Sequence, residues 1–469
     1  MKVMPRRPLF HTRRRSNLYR MFLWACLILA VLWFIRGLER GEIINPLLAT
    51  PTPTRTVRSY ALEGDALFTA GQLEDAILAY QQATQADPSD PEVWAKLARI
   101  QTYSSATLTT DFQRRERMLD ARYSIEQAIT LAPDDSIVNA IYAFVLDWNA
   151  TVIGGEQTQS LLIEAERSSI RALQLDNQNG LAMAFYAEIL VDQQKWPQAE
   201  QIILQAVERN ADIMDVHRVY GQVLESTGRY RQAIEEYQQA IAINPNLTFL
   251  YIWVGLNYRT LAAESGNPAT TYSLYESALE YFAKAARLNE QLEIIDPLPY
   301  ISIAKTYAQQ GEFFIAARNM QKALDLDPEN ANTYGQLGEL YQRSRNYEGA
   351  IPALKCAVRG CTVEEACEVR GGCAEDEQVG PVTGLALSSS SANYYLVYGA
   401  LLAAFSPREP DYCIEAEDVL NQLLAAYGDD PIIFSNANES LAICAAVAAS
   451  LAQTPTPIPT STPIPTPIP

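Results

Sequence analysis

Histidine is almost missing from this chain: His11 and His217 are the only two in 469 residues. That inventory leaves no ready Ser-His or Cys-His nucleophilic system and no histidine-ligated metal. The sequence also lacks a G-x-x-x-x-G-K-[ST] phosphate loop, an H-E-x-x-H helix and a G-x-S-x-G elbow. Basic residues are scarce outside the start of the chain. Residues 1–40 carry nine Lys/Arg against one acid, a net +8, while the remainder carries 27 basic against 54 acidic residues, a net -27. An acidic body of that kind stays solvated and repels phosphates, so nucleic acid is not expected as a partner. Asp325-x-Asp327-x-Glu329 imitates part of a calcium loop but lacks glycine at loop position 6 and has Gln336 at position 12. No cofactor and no metal is expected.

What is present begins with a basic tail, residues 1–20, followed by the uncharged run Met21–Ile35. Fifteen residues fall short of the ~20 that cross a bilayer. With Arg20 and Arg36 snorkelling, the stretch lengthens to 21 positions, Leu18 to Leu38. A cleaved signal peptide would need a small-x-small site after the run, and Arg36-Gly37-Leu38-Glu39-Arg40 does not supply one. Residues 21–38 are therefore expected to be an uncleaved transmembrane signal-anchor, with a cytoplasmic amino terminus and an exported body. Residues 39–56 form a Pro/Thr linker that should be extended and solvated.

The body repeats. In 214–247 the order is His217, Tyr220, Gly221, Leu224, Gly228, Ala233, Tyr237, Ala240 and Pro245. The same spacing of small and large residues recurs in 57–90 (Gly64, Ala76, Tyr80, Ala83, Pro88), 180–213 (Ala187, Leu190, Ala199, Ile203, Ala206), 297–330 (Ala304, Ala316, Met320, Ala323, Pro328) and 331–364 (Gly338, Tyr341, Ala350, Leu354, Ala357). This pattern resembles the tetratricopeptide repeat, which has small residues at positions 8, 20 and 27 of a 34-residue unit. Large ones stand at 4, 7, 11 and 24, and proline at 32. Small residues admit a second helix, large ones fill the gaps, and proline ends the pair. Three units, 91–135, 136–179 and 248–292, are longer by 11, 10 and 11 residues, close to three helical turns. Part of that length is expected to be loop, because Ser104–Thr110 and Ala263–Thr271 are polar and turn-prone. A weaker ninth unit spans about 392–430, and 431–452 reads as a capping helix.

The resemblance implies an all-α, right-handed superhelical solenoid of about nine antiparallel helix pairs over 57–430, preceded by one transmembrane helix. It also implies a concave groove lined by the first helix of each pair. Carried over by position, the groove candidates are Asp65, Arg99, Tyr103, Glu188, Arg218, Gln222, Arg259, Lys305, Gln342 and Arg343. Some family members clamp a carboxyl terminus with lysine at position 5 and asparagine at position 9. No unit has that pair, and Arg218 with Gln222 comes nearest. His217 falls at position 4 and is expected to pack.

Six of the seven cysteines come late: Cys356, Cys361, Cys367, Cys373, Cys413 and Cys444. The spacing has no C-x2-C pair, so disulfides are expected instead of zinc, with 15 possible pairings. The first four lie in or beside a Cys-rich insertion at 359–391, and Cys413 and Cys444 are placed to tie the last repeat to the capping helix. Residues 453–469, with seven prolines and no charge, should be a disordered or polyproline tail. Three sequons, at Asn149, Asn246 and Asn438, are noted.

Without catalytic apparatus, the expected function is that of a membrane-anchored extracytoplasmic scaffold. Its expected partners are protein or peptide, and it is not expected to be an enzyme. Two alternatives are a glycan-handling or hydrolytic protein using Glu364, Glu365 and Asp376, since two carboxylates suffice for sugar hydrolysis, and a self-assembling envelope protein.

Overall fold

The computed structural model describes residues 17–39 and 56–452, apart from Thr109, Glu156, Glu375, Asp376, Gln378 and Pro410. The basic tail before Asn17, most of the Pro/Thr linker and the tail after Ala452 lie outside the described residues. The chain divides into two units, Met1–Arg55 and Thr56–Pro469.

The first unit contains helix α1, Leu18–Glu39, of 22 residues. At 1.5 Å per residue it is about 33 Å long, against a hydrocarbon core of about 30 Å. Its described side chains are exposed, Leu18, Phe22, Trp24 and Trp33 among them.

The second unit is a run of antiparallel helix pairs. They are α2 (Val57–Thr69) with α3 (Leu73–Ala86), α4 (Pro91–Ser105) with α5 (Asp111–Leu131), and α6 (Ser136–Ile153) with α7 (Gln157–Leu175). Next come α8 (Gly180–Asp192) with α9 (Trp196–Arg209), α10 (Met214–Ser226) with α11 (Tyr230–Ile243), and α12 (Thr248–Glu264) with α13 (Pro268–Gln291). Then follow α14 (Leu298–Gln309) with α15 (Phe313–Leu326), and α16 (Ala331–Arg343) with α17 (Tyr347–Val358). An insertion holds β1 (Gly360–Cys361), α18 (Val363–Arg370) and β2 (Val382–Thr383); α19 (Ala392–Phe405), α20 (Tyr412–Tyr427) and α21 (Pro431–Ala452) complete the order.

Local chemistry accounts for the repetition. The residue before a first helix is often a side-chain cap: Thr56, Asp90, Asp135, Asn179 and Asn330 each accept a backbone N–H of the first turn. Position 8 lies under position 24 of the same pair. A Cβ on Gly64 would stand 2.6 Å from the Tyr80 ring, and one on Gly221 2.7 Å from Tyr237. The large residue occupies the volume that the small one leaves, which sets the helix separation. Position 15 turns the chain back with positive φ, at Gly71 (81°), Gln194 (61°), Gly228 (74°), Gly311 (84°) and Arg345 (61°).

Most of the added length in the lengthened units is helix, with loop confined to part of the expected stretches, between α4 and α5 and at 265–267. Ser104 and Ser105 end α4, their hydroxyls donating back to the carbonyls of Gln101 (3.0 Å) and Thr102 (2.7 Å). Ala263 and Glu264 stay in α12, and Asn267 caps α13 through Ala269 N and Thr270 N. A polar residue in a helix is no break when its hydroxyl is satisfied one turn back.

These pairs curl so tightly that the array meets itself. The Asn246 amide donates to the Thr69 carbonyl at 3.1 Å, across 177 positions. Tyr103 stacks on Phe249 at 5.5 Å, and the start of the array shares one core with Leu247, Phe249 and Leu250. Gly71 belongs to this closure: a Cβ there would lie 2.2 Å from the Asn246 carbonyl oxygen.

The insertion is a small folded element. β1 and β2 pair antiparallel, Gly360 with Thr383 and Cys361 with Val382. Thr362 and Glu365 form a reciprocal capping box on α18. Cys356 is bonded to Cys361, Cys367 to Cys373, and Cys413 of α20 to Cys444 of α21. α21 is apolar (mean hydropathy 1.4) and covers the end of the array with Ala437, Ser440 and Cys444.

Candidate functional site

The concave side of the first six pairs is closed by a chain of charges. Glu188 of α8 accepts two hydrogen bonds from the Arg218 guanidinium of α10, at 2.7 and 2.5 Å. Arg218 Nε lies 3.6 Å from Asp215, and Asp215 pairs with Arg99 of α4. Arg218, Glu188 and Asp215 are each 3% exposed or less. The two guanidiniums stack on aromatic faces: Arg99 over Phe68 and Tyr103 at 5.6 and 5.7 Å, Arg218 over Tyr103 and Phe144 at 5.7 and 5.6 Å. Burial disfavours the charged form of Arg218, but Glu188 and then Asp215 outweigh it and raise its pKa above the ordinary value.

On the solvent side of this chain is a cavity of about 720 Å³. Its walls come from α6 (Asp147, Trp148, Thr151, Val152), α8 (Glu188, Val191, Asp192), α10 (Arg218, Gln222, Glu225), α11 (Tyr230, Tyr237) and α12 (Trp253, Leu256, Thr260), with Arg114 of α5 at one side. Trp148 Nε1 donates to Glu188 at 3.1 Å. Glu225 accepts from the Tyr237 hydroxyl at 2.9 Å and from Asn257 at 3.0 Å. Asp147 is 1% exposed, and its Oδ1 has no hydrogen-bond partner. Burial, then Asp192 and Glu188, push its pKa well above the usual carboxylate range. Asp192 stands at the mouth, reached by water but walled by protein; burial and Glu188 push it up to about 6.

A second cavity, of about 420 Å³, lies on the later pairs and includes Lys305, Gln336, Glu339, Arg343 and Tyr394. Its character is more basic. Arg259, over the Phe282 ring at 5.9 Å, has a buried Nη1 without a partner, and burial lowers its pKa. Burial and then Arg259 lower that of Lys305.

The groove candidates thus scatter. Gln222 faces the chamber, Lys305 and Arg343 the second cavity, and Gln342 a third depression beside α21. Tyr103 is carried inside as core, while Glu188 and Arg218, buried and bound to each other, form part of the chamber wall. Arg99 is spent on Asp215, and Asp65 on Lys96 (3.1 Å) and the Tyr80 hydroxyl (2.5 Å). The nearest approach to a carboxylate clamp, Arg218 with Gln222, therefore has its cation already paired. His217 packs, at 8% exposure, between Glu236 (2.7 Å) and the Ala211 carbonyl (2.9 Å).

Position-by-position reading passed over Asp147, Asp192 and Glu225. They stand on first helices, α6, α8 and α10, as the groove candidates do, so the signal was present. Of the carboxylates in the insertion, Glu365 is held by Lys355 (2.6 Å) and the Thr362 N–H (3.0 Å), and these contacts lower its pKa. Glu364 is exposed, with its pKa lowered by the backbone and Thr362, and Asp376 lies outside the described residues. The sequon Asn149 is fully buried in α6, closed to any glycan. Among the described residues no group of three or more His, Cys, Asp or Glu is arranged to hold a metal.

Three family profiles match the sequence: "TPR repeat" over residues 64–101, and "Tetratricopeptide repeat" over 187–247 and again over 319–351. The chain is a tetratricopeptide repeat protein. The matched stretches fall on α2–α4, α8–α11 and α15–α17, the units closest to 34 residues. No curated protein sequence matches this tetratricopeptide array. Among solved structures it is similar to the human IFIT1 dimer with PPP-AAAA (16% identity, 86% of this chain and 92% of that one, TM-score 0.51). It is also similar to the human IFIT1 dimer with m7Gppp-AAAA (15% identity, 87% and 93%, TM-score 0.50). At such identity the likeness is one of fold, an all-helical solenoid.

Proposed function

We propose that this protein is a membrane-anchored scaffold whose repeat array stands on the extracytoplasmic side and binds protein or peptide partners through its concave surface. Tetratricopeptide repeats imply protein–protein interaction in general. The observation that carries the reading is the chamber of about 720 Å³, walled by the first helices of several consecutive pairs. It combines aromatic faces with fixed polar groups, as ligand sites do. Nucleic acid is not the proposed partner, because its phosphates would meet four carboxylates.

The location rests on three features. All six body cysteines are paired, which suits an oxidising compartment. α1 has the length and exposed apolar surface of a bilayer span. The basic residues cluster on its amino-terminal side, the flank that stays cytoplasmic. We assign no catalytic activity.

Two measurements test this. Protease added to spheroplasts should degrade residues beyond 56 while a cytoplasmic control survives; full protection of the array sinks the topology. A photo-crosslinker at Gln222, inside the chamber, should capture a partner that one at Gln239, on the exposed face of α11, does not. Equal capture at both sites, or at neither, counts against binding through the concave surface.

A further inference from the structure

We infer that the chamber is a site for an organic cation, an alkylammonium or guanidinium group, held by Asp147 and Asp192 against Trp148 and Trp253. The inference rests on the reading of the chamber as the binding site and names the chemistry of its ligand.

Four carboxylates line the cavity: Asp147, Glu188, Asp192 and Glu225. Two cations face them. Arg218 gives two hydrogen bonds to Glu188 and lies 3.6 Å from Asp215, and Arg114 pairs with Asp111 at 3.0 Å. Glu225 has donors in Tyr237 and Asn257. Asp147 has none on Oδ1, although it is 1% exposed and lines the cavity. A buried acceptor without a donor keeps its desolvation penalty unrepaid, and a donor entering the chamber relieves it. Asp192 adds a second carboxylate at the mouth, with the Thr151 hydroxyl 3.5 Å away. The remaining ionisable groups on the walls are the phenols of Tyr230 and Tyr237, and burial, then Glu225, raises the pKa of Tyr237, so it stays neutral.

The ligand's charge follows from this balance, and its shape from the walls. Indole faces favour cations, and Val152 and Leu256 offer apolar surface to a methylene stem. A phosphate or carboxylate would be repelled. A metal ion is a poorer match, because the described residues hold no ligating cluster. Two sources carry the right chemistry: a lysine or arginine side chain of a peptide, and a free amine.

The test uses the full chain in nanodiscs and measures binding calorimetrically for three probes. These are the blocked tripeptide acetyl-Ala-Lys-Ala-amide, the same peptide with norleucine in place of lysine, and n-butylammonium. Lysine peptide or butylammonium should bind saturably and at least tenfold more tightly than the norleucine peptide. Asp147→Asn should weaken binding tenfold or more, and binding should fall as pH drops through about 6, where Asp192 takes up its proton. A lysine peptide stronger than butylammonium assigns a peptide ligand; the reverse assigns a small amine. Equal affinity for lysine and norleucine peptides, or binding unchanged in Asp147→Asn, overturns the inference. Should Asp147→Asn fail to fold, Asp192→Asn at the solvated mouth and Trp253→Leu replace it with the same two readings. Partner crosslinking at Gln222 without cation preference would sink this inference alone; cation binding without crosslinking would sink the protein-partner reading alone.

Discussion

Arg218 is 1% exposed, so Glu188 and Asp215 supply most of what offsets the desolvation of its charge. Glu188→Ala strands that charge, and the expected loss is about 3–5 kcal/mol, read from denaturant melts. A loss near 1 kcal/mol would mean that Asp215 alone suffices. His217 makes a different prediction. Its ring lies between a carboxylate and a carbonyl, both acceptors, so both nitrogens must carry protons. The Glu236 hydrogen bond raises its pKa, burial opposes this, and Ala211 adds to the rise. A group raised in this way contributes stability that is fully present below its unfolded value, near 6.5, and is lost as pH climbs through the folded value. Thermal stability should therefore decline as pH rises above the unfolded value, and His217→Gln should flatten that decline. Asp192, pushed up to about 6, acts lower: the folded state keeps a proton that the unfolded chain releases, so stability falls as pH rises from about 4 to 6. The histidine substitution should leave that window unchanged.

At the scale of elements, the position-15 turn is the recurrent weak point. It requires a left-handed residue, which glycine adopts freely and Gln194 and Arg345 adopt under strain. Gln194→Gly should stabilise the array by up to about 1 kcal/mol, seen as a higher Tm, because relief of strain outweighs the added freedom of the unfolded chain. The α20–α21 disulfide spans 31 positions, and the Cys356–Cys361 bridge spans five. By loop-closure entropy the first constrains the unfolded chain by about 3–4 kcal/mol and the second by about 2 kcal/mol. Cys413→Ser with Cys444→Ser should accordingly destabilise more than Cys356→Ser with Cys361→Ser. Hydrogen exchange should place that loss in α19–α21 and spare α2–α13.

Across the repeat array, closure is the decisive event. Gly71 has φ of 81° and abuts the Asn246 carbonyl, so Gly71→Ala meets both backbone strain and a clash. It should cost about 2 kcal/mol or more, and X-ray scattering should report a larger radius of gyration. Gly228, with φ of 74° and open space around it, serves as the control: Gly228→Ala should cost about 1 kcal/mol without expansion. The reach of the sequence stops at this scale. The pairs were legible because position 8 and position 24 lie sixteen residues apart and answer to each other directly. Gly64 with Tyr80 and Gly221 with Tyr237 are readable by eye. The extra helical length in three units was legible as number and not as form. Which cysteine meets which was open among 15 pairings until α21 lay on α20.

The groove was the least legible. The family resemblance placed Arg99, Tyr103, Glu188 and Arg218 on the first helices, and there they are; it could not say that the coil would bury Tyr103, Glu188 and Arg218. Curvature is a sum of small rotations over many pairs, and no residue encodes the sum. The sequence by itself therefore determined the helix pairs, their caps and turns, and the scarcity of histidine, because each depends on neighbours within one repeat. Only the tertiary structure decided that Arg99 reaches Asp215 across 116 positions, that Tyr103 became core while Glu188 and Arg218 became buried chamber wall, and that Asp147 Oδ1 was left without a partner. Those outcomes depend on contacts between distant repeats, which form only when the whole coil is in place.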